Sequence, residues 1–178
     1  MDFLLIAFLT LLNGVFAMSE LAIASSRKAR LAAMEESGDS GAGAAIRLMD
    51  RPTQFLSTVQ VGITSIGMLN GIVGEAAFSA GLGLWLQQMG MPEAAAGVTA
   101  TAVVVSAITF TTIVFGELVP KRIGQLYPEA VARLVARPMA GVARVAKPFV
   151  RALTLSTQAV LKPLRIDNAA GRAVTEEE

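Results

Sequence analysis

The sequence predicts an all-α membrane protein, with three transmembrane helices per subunit, a helical hairpin on the cytoplasmic side and juxtamembrane belt helices. Three observations carry this reading. The 178 residues are 53% hydrophobic and only 16% charged, with a mean hydropathy of +0.57, too apolar for a soluble domain of this length. All 15 Lys and Arg residues fall within 27–51 and 121–172. The stretches free of basic residues, 1–26 and 52–120, are also the most apolar. A charge on a hydrocarbon-embedded helix costs about 2.5–3.5 kcal/mol by insertion scales, and basic residues collect in cytoplasmic loops instead. Both basic blocks are therefore assigned to the cytoplasm.

The first span covers about 3–26, with Glu20 as its only charge. It reaches roughly 36 Å, enough for a ~30 Å hydrocarbon core. Without a basic leading segment or a clear cleavage site it reads as a retained helix, not a removed signal peptide. Residues 27–51 carry nine charges around the turn signal SGDSGAG at 37–43, the pattern of two short helices in a surface hairpin. Pro52 stops that hairpin. The second span, 53–86, is uncharged as far as Gly74. Its Gly67 and Gly71 form a small-xxx-small pair that lets another helix approach. The loop QQMGMPE, 87–93, has no basic residue and belongs outside. The third span, 94–120, is uncharged until Glu117, and Lys121 and Arg122 end it in the cytoplasm. This order places the N-terminus outside and the C-terminus inside, in a multi-pass protein of the cell inner membrane.

Within the belt, 121–165, the apolar stretch 131–164 is interrupted by Arg133, Arg137, Arg144, Lys147, Arg151 and Lys162. Arg137, Arg144 and Arg151 are spaced by seven and lie near one helix face. Pro138, Pro148 and Pro163 are expected to cut this segment into short helices. A fourth span would bury several of these charges. An interfacial belt, its side chains snorkelling to anionic headgroups, accounts for them. The transmembrane domain thus runs 1–165, and the polar 166–178 reads as a linker to a further module.

Composition also narrows the chemistry. With no Cys and no His, disulfides, thiolate or imidazole metal sites and a His-based triad are excluded. No nucleophile–base constellation is visible, so the chain does not read as an enzyme. A net charge of +1 argues against nucleic acid, while clustered basic residues suit an anionic lipid surface. Any metal must be held by oxygen, which favours Mg, Ca or Na.

Glu117, in the run FGELVPK, is the first candidate ligand. Pro120 has no N–H for the carbonyl of Gly116, so that oxygen is freed beside a carboxylate, a suitable hard-cation site. The competing reading pairs Glu117 with Lys121 or Arg122. Glu20 lies roughly 10 Å inside the same boundary. It serves equally as ligand, proton-coupled group or helix–helix hydrogen-bond partner, on a face shared with Asn13, Ala17 and Ala24. Ser19, Ser25 and Ser26 supply hydroxyls, although Ser in a membrane helix usually bonds its own backbone. The second span offers Thr58, Gln60, Thr64, Ser65 and Asn70. In the third, Thr109, Thr112 and Gly116 share a face leading to Glu117. Three helices can therefore bring oxygen to one level in the inner half of the bilayer.

The runs NGVFAMSELAIASS (13–26), TVQVGITS (58–65) and FGELVPK (115–121), in this order, resemble the transmembrane domain of the CorC/CNNM family of magnesium transporters, once labelled hemolysin-like. The resemblance implies a homodimer of three-span subunits and magnesium export coupled to sodium entry. It also implies a cytoplasmic CBS-domain pair, beyond this chain, that binds ATP. Glu117 matches the family's functional acidic residue. Ser19 and Glu20 match polar positions of its first-helix motif, in which Ala17 and Met18 stand where many members have Ser and Gly. Ser65 and Asn70 both remain open as the second-helix ligand. The expected protein exports Mg²⁺, its substrate ion, in exchange for Na⁺ by alternating access. Its cavity is lined by Ser19, Ser65, Asn70 and Glu117, with the Gly116 carbonyl, Ser25 and Glu20 as further oxygens. The alternative is a dimeric membrane anchor or Mg²⁺ sensor for a cytoplasmic regulatory module.

Overall fold

Three long apolar helical stretches, capped by a short helical hairpin and one further long helix, make up the computed structural model, which describes residues 1–161. Helix α1 (Asp2–Ser25) ends where Ser26 turns extended, and its hydroxyl returns a 2.6 Å hydrogen bond to the Ala22 carbonyl. The same carbonyl also accepts the Ser26 amide at 3.0 Å, so the hydroxyl adds a second bond at the helix end. Helices α2 (Lys28–Glu36) and α3 (Ser40–Met49) form the hairpin. Gly38, at φ 97°, makes the reversal that a side chain would strain. Asp39 caps α3 by accepting from the Gly41 and Ala42 amides at 2.9 and 3.3 Å.

Pro52 occupies the first turn of α4 (Pro52–Gln88), where its missing N–H costs nothing. At 37 residues, α4 spans roughly 55 Å, so it must tilt in or project from a ~30 Å core. Gly90 (φ 94°) and Pro92 turn the chain into α5 (Glu93–Ile113). A widened π-helical turn, Val114–Leu118, joins α5 directly to α6 (Val119–Leu126). Among the described residues three helical stretches are long and apolar enough to cross a membrane: Asp2–Ser25, Pro52–Gln88 and Glu93–Leu126. They overlap the three expected spans.

Small residues set the packing. Along the α1 and α5–α6 seam, a Cβ on Gly116 would sit 3.2 Å from the Thr10 carbonyl, one on Gly14 3.0 Å from the Pro120 ring, and one on Gly124 2.6 Å from the Met18 carbonyl. The pairs advance by four residues on both strands of the seam, so α1 and α5–α6 run parallel in fixed register. Helix α4 runs antiparallel to both. Its Asn70 meets Thr10 and Thr112, its Gly62 faces the Phe16 ring, and its Gly74 faces Ile108.

The hairpin closes one end of the bundle with α7 (Pro128–Leu161). The small run Gly41–Ala45 is buried, close enough that a Cβ on Gly41 would strike the Arg133 carbonyl. Ala132, Val135, Ala136 and Met139 of α7 join α1, α3 and α4 residues in the main core. Arg133 pairs with Asp39 at 2.9 Å, and Glu129 accepts from the Arg27 amide.

The belt departs from expectation in one respect. Pro138 and Pro148 do not break it, and α7 is continuous for 34 residues. Each proline deprives one carbonyl of its helical donor, that of Leu134 and that of Arg144. Both of those residues are exposed, where water or headgroups can satisfy the oxygen, and the packed alanine face holds the helix together. Lys162, Pro163 and the expected linker 166–178 lie outside the described residues.

Candidate functional site

Two polar layers lie between the spans, both anchored on α1. The deeper layer is made of amides and hydroxyls. Asn13, 2% exposed, donates through Nδ2 to the Gly116 carbonyl at 2.9 Å. Asn70, fully buried on α4, donates through Nδ2 to Thr10 Oγ1 at 2.9 Å and to Thr112 Oγ1 at 2.7 Å. The amide oxygens of Asn13 and Asn70 have no hydrogen-bond partner although both are buried. A buried polar atom left unpaired costs on the order of 1–3 kcal/mol. Two of them where three spans meet mark a place suited to a positively charged guest.

The local sequence builds this layer. Pro120 cannot donate to Gly116, and the chain relaxes by widening the turn so that the Val119 amide reaches the Val114 carbonyl. The freed Gly116 oxygen points at α1, where the absence of a side chain on Gly116 lets Asn13 and Thr10 come within contact distance.

The second layer is charged. Lys121 Nζ lies 2.7 Å from Glu117 Oε1 and 3.4 Å from Glu20 Oε2. One ammonium is thus shared by two carboxylates from two helices. The three side chains are 20–35% exposed, at the mouth of the bundle near the hairpin. Along α1 this layer is roughly 10 Å from the amide layer, seven residues on.

The structure sorts the expected ligands. Glu117, Glu20, Gly116 and Asn70 fall within the two layers. Ser19 is buried beside them, but its hydroxyl donates to the Phe16 carbonyl at 2.7 Å. Ser65 and Ser25 are exposed and belong to neither layer. Asn13, Thr10, Thr112 and Lys121 enter as site residues that the expected ligand set did not include. Asn13 carried a usable signal, being an amide on the Glu20 face of an apolar helix. Among the described residues no three acidic side chains converge as a metal cluster, so the oxygens gathered here are neutral ones flanked by two carboxylates.

Comparison with known proteins follows the same sequence regions. The model for the CNNM family, described as the cyclin M transmembrane N-terminal domain, matches residues 4–178. The UPF0053 protein sll0260 of Synechocystis sp. is 42% identical over 170 residues, covering 96% of this chain and 38% of that protein. The polyamine export protein of Escherichia coli K12 is 33% identical over 147 residues, 83% of this chain and 33% of that protein. The UPF0053 protein YugS of Bacillus subtilis is 32% identical over 151 residues, 85% of this chain and 35% of that protein. The chain therefore spans little more than a third of the curated relatives it matches.

Proposed function

This chain belongs to the CNNM family, and from that premise we propose that it forms the membrane pathway of a cation exporter whose substrate is Mg²⁺, exchanged for Na⁺. The observation that carries this reading is the pair of unpartnered amide oxygens, Asn13 Oδ1 and Asn70 Oδ1, beside the Gly116 carbonyl. Hard cations take oxygen ligands, and Mg²⁺ gives up its water reluctantly. Neutral oxygens at the deep layer and carboxylates at the mouth offset that dehydration without trapping the ion. Lys121 holds the carboxylates when no substrate does, and an arriving cation competes for Glu117 and Glu20. In the same reading the subunit is a homodimer in the inner membrane, its N-terminus outside. Gly67 and Gly71 support the dimer, since among the described residues nothing from a neighbouring element lies within 4 Å of a Cβ at either.

A second reading rests on the Lys121 seat and on the Escherichia coli relative's name. A primary ammonium on an alkyl stem already fits between Glu117 and Glu20, as the end of a polyamine would. Flux into proteoliposomes decides between them, with Mg²⁺ and spermidine offered separately under an imposed Na⁺ gradient. The expected result is Na⁺-dependent Mg²⁺ movement that Glu117→Gln removes. Movement of spermidine alone would replace the first reading with the second. Movement of neither, with no binding, would leave a dimeric anchor.

A further inference from the structure

We propose that the hairpin end of the molecule carries a discrete binding site for one anionic phospholipid, its phosphate held by Arg47, Arg51, Arg144 and Lys147. These four cations line a cavity of about 470 Å³ between α3, the start of α4 and the middle of α7. The one carboxylate in its wall, Asp50, is taken by Lys28 at 2.7 Å. Among the described residues no carboxylate lies within ion-pair distance of Arg47, Arg51, Arg144 or Lys147. Four like charges facing one cavity repel each other unless an anion is among them. Arginine forks match phosphate oxygens in geometry as well as charge.

A second feature identifies the source of the phosphate. The cavity also has apolar wall residues, among them Leu48 and Phe55. Those two residues also line a second cavity of about 190 Å³, otherwise walled by Ile23, Ala24, Pro52 and Leu56 among others. The basic cavity thus adjoins an apolar one at the neighbouring ends of two spans, α1 and α4, with Leu48 and Phe55 in the wall of both. Arg51 directly precedes the span that begins at Pro52. A headgroup in the basic cavity and an acyl chain in the apolar one would use both, whereas free phosphate would leave the apolar cavity unused. The site differs from a general attraction of the basic belt to anionic membranes, because it depends on particular residues from three helices.

Native mass spectrometry of the purified protein, released from nanodiscs of equal phosphatidylglycerol and phosphatidylcholine, tests this. The protein is expected to retain one phosphatidylglycerol in preference to phosphatidylcholine. The pair Arg51→Gln and Lys147→Gln should lower that retention about 10-fold or more, because each removes a charge-assisted contact to the phosphate. The control pair Arg122→Gln and Arg137→Gln removes the same charge elsewhere and should change retention less than about 2-fold. All four residues are exposed, and circular dichroism of both pairs confirms that they fold. Equal loss in the two pairs, or no loss in the first, would overturn the site. Displacement of the lipid by millimolar pyrophosphate, abolished by the first pair, would overturn the lipid assignment in favour of a soluble polyphosphate.

Discussion

Glu117 sits one residue beyond the carbonyl that Asn13 holds and one helical turn before the lysine that holds its own charge. Its charge is what a divalent ion would meet on entering. At an effective dielectric of about 20, one unit-charge pair at ~4 Å is worth ~4 kcal/mol, and a divalent ion doubles this before desolvation is subtracted. Glu117→Gln keeps the shape and loses the charge, so it should abolish Mg²⁺ binding at millimolar concentration while leaving the fold intact. Unchanged affinity by calorimetry would remove Glu117 from the site and leave Glu20 as the next residue to test. Glu117, Glu20 and Asn70 stand out as candidates in the sequence because each is costly in an apolar helix unless it has a use, and Gly116 because Pro120 frees its carbonyl. Ser65 was not separable from Asn70 by that argument. The face of α4 toward α1 is fixed by Gly62, Ile66 and Asn70, one turn apart, and Ser65 lies about 100° away from Ile66. At the other end of the molecule, Asp39 makes a prediction in pH. Hydrogen bonding from the Gly41 amide, aided by Ala42 and Arg133, holds its carboxyl below the usual carboxylate range. A depressed folded pKa contributes stability that is complete above the unfolded value and lost as pH falls through the folded one. Asp39→Ala should therefore destabilise the fold near neutrality, and the gap to the parent should narrow as pH falls below the ordinary carboxylate range. A gap that persists at pH 2 in detergent unfolding would mean the cap does not act through its charge.

Helices in this chain are held by what their glycines exclude. Gly124 lets α6 press on the α1 backbone, and even one methyl group would sit 2.6 Å from the Met18 carbonyl. Gly124→Ala should destabilise the bundle by about 1–3 kcal/mol, the usual range for overpacking. Gly67 has open space at the same test. Gly67→Ala should leave thermal stability unchanged or raise it by about 0.5–1 kcal/mol through helix propensity. Gly67→Leu should weaken self-association while the subunit stays folded. A parent protein that is monomeric by mass at every concentration would sink the dimer. Charge distribution and hydropathy made the three spans and the hairpin readable, because a bilayer punishes exceptions to both. The continuity of α7 was hidden for a related reason. Proline reads as a breaker when its helix stands alone, but here one face of the helix is pinned by Ala132, Ala136, Met139 and Ala143. The π turn was half visible, since Pro120 announced a freed carbonyl but not that Asn13 would take it.

The molecule as a whole has one end rich in Lys and Arg and one end free of them, and its orientation follows from which of them meets the cytoplasm. The hairpin, Lys121 and α7 gather at one end, and the α4–α5 turn lies at the other. The positive-inside rule predicts that the basic end lies inside. The chain has no native cysteine, so one introduced thiol reports one position. Gln88 is exposed at the end of α4, and Gln88→Cys should react with an impermeant maleimide from outside intact cells. Ser37 is exposed in the hairpin turn, whereas Gly41 is buried against Arg133. Ser37→Cys is therefore the better probe of the inner side and should react only after the membrane is opened. Thr157→Cys, near the end of α7, should behave like Ser37→Cys if α7 lies along the inner surface. Its labelling from outside would make α7 a fourth span, move Arg144 and Lys147 into the hydrocarbon, and remove both the belt and the phosphate site built on it. Labelling of Ser37→Cys from outside, with Gln88→Cys protected, would invert the molecule. The carboxylate mouth would then open to the exterior, and the ion would have to enter where export requires it to leave.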